Sequence, residues 1–325
     1  HTILVMSQPL VSVICLCYNH AKYVRECIDS VLNQTYKNIQ IIIVDDASTD
    51  QSKVVIQKIV ASHPEITFID LKKNLGNCKA FNKGLAEAKG DYIVDLATDD
   101  MFTTERIAKQ IALFERLPKD FGVVHTNASY IDENGSYLRD HYHYLQSKRL
   151  LDKMPQGDVY EAVISKFFIS APTMLVKKAI FESLNGYDES LAYEDFDFWV
   201  RSARNWKYAY LNETLTKIRK VAGSKSSGWY AHGDKQLHST YLVCRKIQGL
   251  NQTQEEDHSL IKRLKYELRQ SLFSNNNAEF ELFYKMLAEY NETGIVENIM
   301  RLLSKTRIPL RPLRNLYHGL RYAKN

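Results

Sequence analysis

Residues 92–102 read Tyr-Ile-Val-Asp-Leu-Ala-Thr-Asp-Asp-Met-Phe, and the order of those side chains decides the fold. An apolar run, Tyr92-Ile93-Val94, gives way within a few residues to two adjacent carboxylates, Asp99 and Asp100. Neighbouring acids disfavour each other's charge unless a cation or water screens them. One acid here has a plain explanation, capping the helix that the Arg106–Arg116 pattern predicts. A cap uses one acid, however, and the sequence supplies two. Two hard oxygen donors side by side also suit Mg²⁺ or Mn²⁺, which commonly takes one or two carboxylates and completes its shell on phosphate.

Upstream the same design recurs. Val11–Leu16, Ile39–Val44 and Ile66–Ile69 are short β-branched runs fit for buried strands. Between them, Lys22–Gln34, Val54–Val60 and Lys79–Ala88 carry apolar residues at helical spacing. Strands alternating with helices predict a parallel sheet covered on both faces. Ligands of such sheets bind beyond the carboxyl ends of the strands. Tyr18-Asn19, Asp45-Asp46 and Asp99-Asp100 all follow such ends and are expected to converge. A strand-end acid can accept from a nucleobase imino group or a ribose hydroxyl, and Tyr18 can stack on the base. The bland alternative for Asp45-Asp46 is a turn capped for a helix starting at Ser48 or Thr49.

Downstream the signals are more mixed. Gly122–His125 reads as a strand, Tyr137–Leu151 as a polar, tyrosine-rich connection, Phe167–Val176 as an apolar stretch and Lys177–Leu184 as a helix. Beyond Gly233 the spacing of Leu260, Leu264, Leu268 and Leu272, then Phe280, Phe283 and Leu287, predicts helices. Five cysteines, without zinc spacing, point to a reduced compartment. No apolar run reaches the ~20 residues that span a bilayer. His1–Val5 before Met6 reads as an expression remnant, so residues 1–9 are set apart as a leader. The net charge of +5 is local: residues 301–325 hold seven Lys or Arg and no acid, so the preceding 300 are slightly acidic. That tail either packs its leucines on the body or docks on an anionic membrane. Nucleic acid is not an expected partner.

A third acidic cluster, Tyr193-Glu194-Asp195-Phe196-Asp197-Phe198-Trp199, follows about 95 residues after the second. Helix-dipole compensation explains one acid in a first turn. A carboxylate there can also serve as a general base. With these three motifs in order, the chain resembles family 2 glycosyltransferases over residues 10–225. VSVICLCYNHAKYVRECIDSVLNQTYKNIQIIIVDDASTD is similar to their opening, NLGNCKAFNKGLAEAKGDYIVDLATDD to the segment ending in their DxD-type motif, and SAPTMLVKKAIFESLNGYDESLAYEDFDFWVR to their acceptor side and its ED motif.

The resemblance implies a GT-A fold: an α/β, Rossmann-like, mostly parallel sheet with helices on both faces and, here, a C-terminal helical extension. It implies a nucleotide-sugar half at 10–103, an acceptor half at 104–232 and an extension at 233–325. The implied activity is inverting transfer from a nucleoside diphosphate sugar, expected to be a UDP-sugar, assisted by Mn²⁺ or Mg²⁺. The acceptor would be a hydroxyl of a saccharide or lipid-linked saccharide in surface-polysaccharide synthesis. Carried over by position, Tyr18 and Asp46 hold the uracil, and Leu16, Asn19, Asp45, Asn74, Gly76, Lys79, Asn82 and Asp99 line the donor site. Asp100 is the metal ligand and Asp195 the base, with Glu194, Trp199, Arg219 and His232 as auxiliaries. The expected place is the cytoplasm, peripheral on the inner membrane face.

Three positions depart from the family pattern. Ala97 replaces the first acid of the DxD, Phe81 stands where an arginine is common, and Lys217–Lys225 lacks the histidine of an Arg-x-His motif. The rival reading is a catalytically inactive nucleotide-sugar- or glycan-binding module of the same fold. Dehydrogenases need Gly-x-Gly-x-x-Gly after the first strand, and Cys17-Tyr18-Asn19-His20 is not that.

Overall fold

The computed structural model describes residues 8–221 and 230–306. The first residues of the leader, most of the Gly223–Gly233 segment with Lys225, and the basic tail beyond Thr306 therefore lie outside the described residues. The chain divides into two compact units. One holds His1–Val159, Phe168–Ser190 and Arg201–Val221; the other holds Tyr160–Phe167, Leu191–Val200 and Ala222–Asn325.

In the first unit β1 (Val11–Cys17), α1 (Val24–Leu32), β2 (Ile39–Asp45), α2 (Ser52–Ser62), β3 (Thr67–Asp70), α3 (Asn77–Glu87) and β4 (Tyr92–Ala97) alternate. The strands lie parallel in the order β3-β2-β1-β4. Period-2 alternation sends Val11, Val13, Cys15 and Cys17 into a core with Val24, Ile28 and Val31 of α1 and with Ile56 and Ile59 of α2. The opposite face carries α3, packed so closely that a Cβ at Gly84 would lie 2.5 Å from Ile14 Cγ2. The register sets Cys17 against Asp45 and Leu16 against Ala97, so three strands end level. Level ends bring the Tyr18-Asn19, Asp45-Asp46 and Asp99-Asp100 loops together.

The sheet then continues through β5 (Met101–Phe102), α4 (Arg106–Phe114), β6 (Phe121–Ile131), β7 (Tyr137–Asp140) and α5 (His141–Ser147). After α6 (Tyr160–Ser165), which goes with the second unit, come β8 (Leu175–Lys177), α7 (Lys178–Leu184), α8 (Asp195–Ala203) and β9 (Lys207–Arg219). The full order is β3-β2-β1-β4-β8-β6-β9-β5, with β7 on β6. β6 and β9 run parallel, while β8, β5 and β7 pair antiparallel. The sheet thus runs through both halves expected at 10–103 and 104–232.

Two local expectations are corrected here, and β9 adds a third irregularity. Tyr137–Leu151 is no plain connection but a short strand and a helix, the latter capped by the Asp140 carboxylate accepting from the His143 N–H at 2.9 Å. Phe167–Val176 is broken by a 3₁₀ turn at Ala171–Thr173, where Pro172 removes a ladder donor. The 13-residue β9 carries no clean alternation, because register shifts near Asn127 interrupt its pairing with β6.

His125 of β6 is buried against the rings of Tyr210 (5.1 Å) and Phe168 (6.2 Å), and its Nε2 has no partner among the described residues. Burial, assisted by nearby His141, depresses its pKa to about 3. In the unfolded chain a histidine titrates near 6.5. Between those values the unfolded state binds the proton and the folded state refuses it, so stability falls as pH falls through this window. We expect the His125→Phe variant to escape about 2 kcal/mol of the stability that the wild type loses between about pH 7 and pH 5. Urea unfolding of both proteins at the two pH values measures that difference; parallel losses would contradict it.

In the second unit, α10 (Gln254–Phe273) packs on α6 and on α9 (Lys235–Leu250), α11 (Asn277–Glu289) and α12 (Ile295–Lys305). A capping box starts α10: Thr253 Oγ1 accepts from the Glu256 N–H, and the Glu256 carboxylate accepts from the Thr253 N–H. Leu260, Leu264, Leu268 and Leu272 bury one stripe of α10, and Phe280, Phe283 and Leu287 bury one of α11. Arg263 lies inside this unit. It donates to the Ile164 carbonyl (2.8 Å) and Glu267 (3.2 Å), with Phe167 stacked on its guanidinium at 4.0 Å.

Candidate active site

The loops leaving β1, β2 and β4 are stitched together. Asn19 adopts a left-handed conformation (φ 59°), and its side-chain oxygen accepts from the Thr49 N–H at 2.8 Å. Ser48 Oγ in turn accepts from the Asn19 N–H, and Ser52 Oγ from the His20 N–H. Asp45 is buried and closes a turn with Ser48, accepting from its N–H (3.0 Å) and its hydroxyl. Asp46 accepts from the N–H groups of Leu75 (2.7 Å) and Gly76 (3.0 Å), one on each oxygen. Gly76, at φ 85°, turns the chain into α3, a conformation that glycine adopts without penalty. Asp46 and the Leu75–Gly76 turn therefore form one cluster, with Asn74 and Lys79 flanking that turn in sequence and Tyr18 exposed at the end of β1.

The Asp99-Asp100 pair has a different environment. Asp100 is only 4% exposed, and its carboxylate accepts from the Arg219 N–H at 2.8 Å. Burial and the charge of Asp99 push its pKa well up, and the Arg219 amide with the charges of Lys220 and Arg219 opposes them. Lys220 is half-buried beside the Tyr130 ring, its pKa lowered by burial and supported by Asp100. From below, the wholly buried Arg106 is drawn down to about 9 by desolvation, against which Asp100 acts. On the outer side, His20 Nδ1 bonds Thr98 Oγ1 (2.9 Å) and its Nε2 lies 3.8 Å from Asp99. Protein cations thus surround the acids, yet no lysine or arginine side chain among the described residues is bonded to Asp100.

Arg219 sits at the hub of this arrangement. Its side chain is buried, stacks on Tyr23 at 4.5 Å, and donates to Glu26 (2.7 Å) and to the carbonyls of Asp99, Asp132 and Glu133. Every nitrogen of this guanidinium is engaged, so Arg219 ties the β4 loop, the β6–β7 turn and α1 together. Asn82 is likewise engaged: its amide accepts from the Tyr187 N–H and donates to the Tyr187 carbonyl and Glu189. Phe81, where an arginine was noted as common, is core, with Tyr187 at 4.2 Å and Phe181 at 5.2 Å. Leu16 is buried in β1.

In the second unit, Glu194 and Asp195 are half-buried at the start of α8. The turn before them is tied to α9, where Ser239 Oγ accepts from the Ala192 N–H (2.8 Å) and Tyr193 bonds Thr240 (2.7 Å). Two residues on, buried Asp197 accepts from Lys246 at 2.6 Å. Phe196 lies under the Arg263 guanidinium (5.0 Å), and Trp199 is buried near Phe167. His232 is exposed, with its Nδ1 2.9 Å from the Asn275 carbonyl. The first turn of α8 is therefore held from several sides, as a positioned carboxylate needs to be.

Sequence reading passed over His20, Lys220, Glu26 and the buried Arg106. His20 had a signal, two residues beyond Tyr18 at a strand end. Lys220 and Glu26 had none, since their approach to Asp100 and Arg219 depends on β9.

Does a divalent cation fit at Asp100? Among the described residues no three His, Cys, Asp or Glu side chains gather into a cage. Asp100 offers a buried, oxygen-only ligand beside a second acid, and its charge is disfavoured where it stands. Those donors suit a hard cation that takes its remaining ligands from phosphate and water. They fit.

This α/β sheet, parallel over its first half with acids at level strand ends, has the GT-A architecture. The sequence profile of Glycosyl transferase family 2 matches residues 12–184, and the chain belongs to that family. An uncharacterized glycosyltransferase of Methanocaldococcus jannaschii is 32% identical over 66% of this chain and 72% of its own length. One from Rickettsia typhi is also 32% identical, and the chain spans 64% of its length. The protein EpsE of Bacillus subtilis is 29% identical over 74% of this chain and 84% of its own. Among solved structures, Staphylococcus aureus TarS in complex with UDP shares the fold at a TM-score of 0.67 and 17% identity, covering 97% of this chain and 92% of that one. The mannosyltransferase PcManGT of Pyrobaculum calidifontis, in complex with GDP-Man and Mn²⁺, gives 0.58 at 14% identity, covering 97% and 86%.

Proposed function

We propose that this glycosyltransferase moves a sugar, with inversion, from a UDP-sugar to a hydroxyl of a saccharide or lipid-linked saccharide in surface-polysaccharide assembly. The convergence of Asp46, Asp99 and Asp100 at level strand ends, the last two tied to Arg219, carries the reading. Support for the donor class comes from TarS, solved with UDP-GlcNAc and with UDP, and from PcManGT with GDP-Man.

On this reading Tyr18 stacks on the base, and Asp46 with the Asn74–Gly76 turn borders it. Asp99 lies toward the ribose and sugar. Asp100 would hold Mn²⁺ or Mg²⁺, which when bound would neutralise charge developing on the departing diphosphate. Lys220 and the Arg219 amide oppose the burial and the Asp99 charge that disfavour the Asp100 carboxylate, as a bound cation would do more strongly. Asp195 takes the acceptor proton as the acceptor oxygen bonds the anomeric carbon and the bond to the diphosphate oxygen breaks. Ser239, Thr240 and Lys246 fix the turn and helix that carry Asp195, so they act as positioning residues.

A thermal-shift panel tests the donor assignment. UDP and UDP-sugars with Mn²⁺, near 100 times Kd, should raise stability by about 2.7 kcal/mol, and guanosine nucleotides by clearly less. Equal shifts for both bases, or none for either, would refute it. Binding without turnover on any acceptor would favour the inactive-module reading.

A further inference from the structure

Helix α12 is attached the wrong way round for a core helix. Its polar side faces α11: Asn298 accepts from the Tyr284 hydroxyl (2.6 Å), and Arg301 forms a two-pronged pair with Glu281 while stacking on Tyr284 at 4.4 Å. Ser304, on the same side, is buried. The apolar residues point outward. Ile295, Val296, Ile299, Leu302 and Leu303 recur at helical spacing and are all exposed, Ile295 to 80% and Leu302 to 67%. A surface helix normally buries such a stripe, and contiguous exposed apolar stripes mark interaction sites.

The charge of the sequence selects the occupant. From Asn298 to Asn325 there is no Asp or Glu, whereas Arg301, Lys305, Arg307, Arg311, Arg314, Arg321 and Lys324 are basic. Two copies meeting through this stripe would bring two basic segments together. An anionic bilayer meets both features at once, taking the apolar side chains into its interface and the Lys and Arg at its headgroups. We propose that the outward face of α12 is a docking surface for an anionic membrane. The inference stands apart from the transfer chemistry, because no residue of the strand-end site takes part in it.

Sedimentation of the full chain with vesicles decides the matter. Wild type should pellet with equimolar phosphatidylcholine and phosphatidylglycerol vesicles and lose that binding in high salt or with pure phosphatidylcholine. The double variant Ile299→Asp, Leu302→Asp should partition at least about tenfold more weakly. Both side chains already stand in water, so its unfolding transition should match that of the wild type. Failure of the wild type to pellet, equal binding to neutral vesicles, or undiminished binding by the variant would overturn the proposal. So would a vesicle-indifferent dimer in analytical ultracentrifugation that the variant dissociates, since it would assign the face to a second copy.

Discussion

The Asp195→Asn variant should lose about 10²–10⁴-fold in kcat while binding UDP as the wild type does. Asparagine keeps the size of the side chain and an acceptor oxygen but cannot take a proton at neutral pH. A general base acts on the acceptor hydroxyl in the transition state, so its loss appears in kcat and spares nucleotide affinity. Damage to the scaffold would look different. The start of α8 is held by Ser239, Thr240 and Lys246, so an unfolded variant would lose its cooperative thermal transition along with turnover. A sugar-transfer assay beside a UDP titration separates the two. Retained turnover would remove Asp195 from the role of base.

At Asp100 the pattern should invert. The Asp100→Ala variant is expected to lose at least about a hundredfold in kcat/KM, ~2.7 kcal/mol of transition-state stabilisation, and also the ability of Mn²⁺ to strengthen UDP binding. The fold should not pay for this, because desolvation and Asp99 make the ionised carboxyl unfavourable where it stands. The Asp100→Asn variant retains an oxygen to accept the Arg219 amide and serves as the conservative control. If it binds UDP as weakly as the alanine variant and equally insensitively to Mn²⁺, charge is responsible and not shape. Calorimetric titration of UDP with Mn²⁺ and with chelator, on the three proteins, reads this directly. Metal-independent binding of equal strength in all three would contradict it.

The first half of the sheet was legible because buried parallel strands announce themselves as unbroken β-branched runs, as in Ile39–Val44, and their loops as clusters of polar residues. Register then does the rest, since strands that end level bring their loops together. Across the sheet the signals fade for physical reasons. β9 is polar at Asn212, Glu213 and Lys217 and its ladder is interrupted, so no period-2 pattern survives. Arg219 looked like a loop cation because its partners, Glu26 and the carbonyls of Asp99, Asp132 and Glu133, lie 86 to 193 residues away in sequence. Asn82's partners were hidden in the same way, since the Tyr187 backbone and Glu189 lie 105 to 107 residues on in sequence. The outward apolar face of α12 was hidden by the opposite error, because helical spacing alone does not say which side meets the body.

The most direct test is anomalous scattering from Mn²⁺ in crystals grown with UDP. One manganese peak within coordinating distance of an Asp100 oxygen and of the diphosphate, with the uracil against Tyr18, is the predicted result. A diphosphate bound with no manganese at Asp100, or a nucleotide seated away from the ends of β1, β2 and β4, would contradict it.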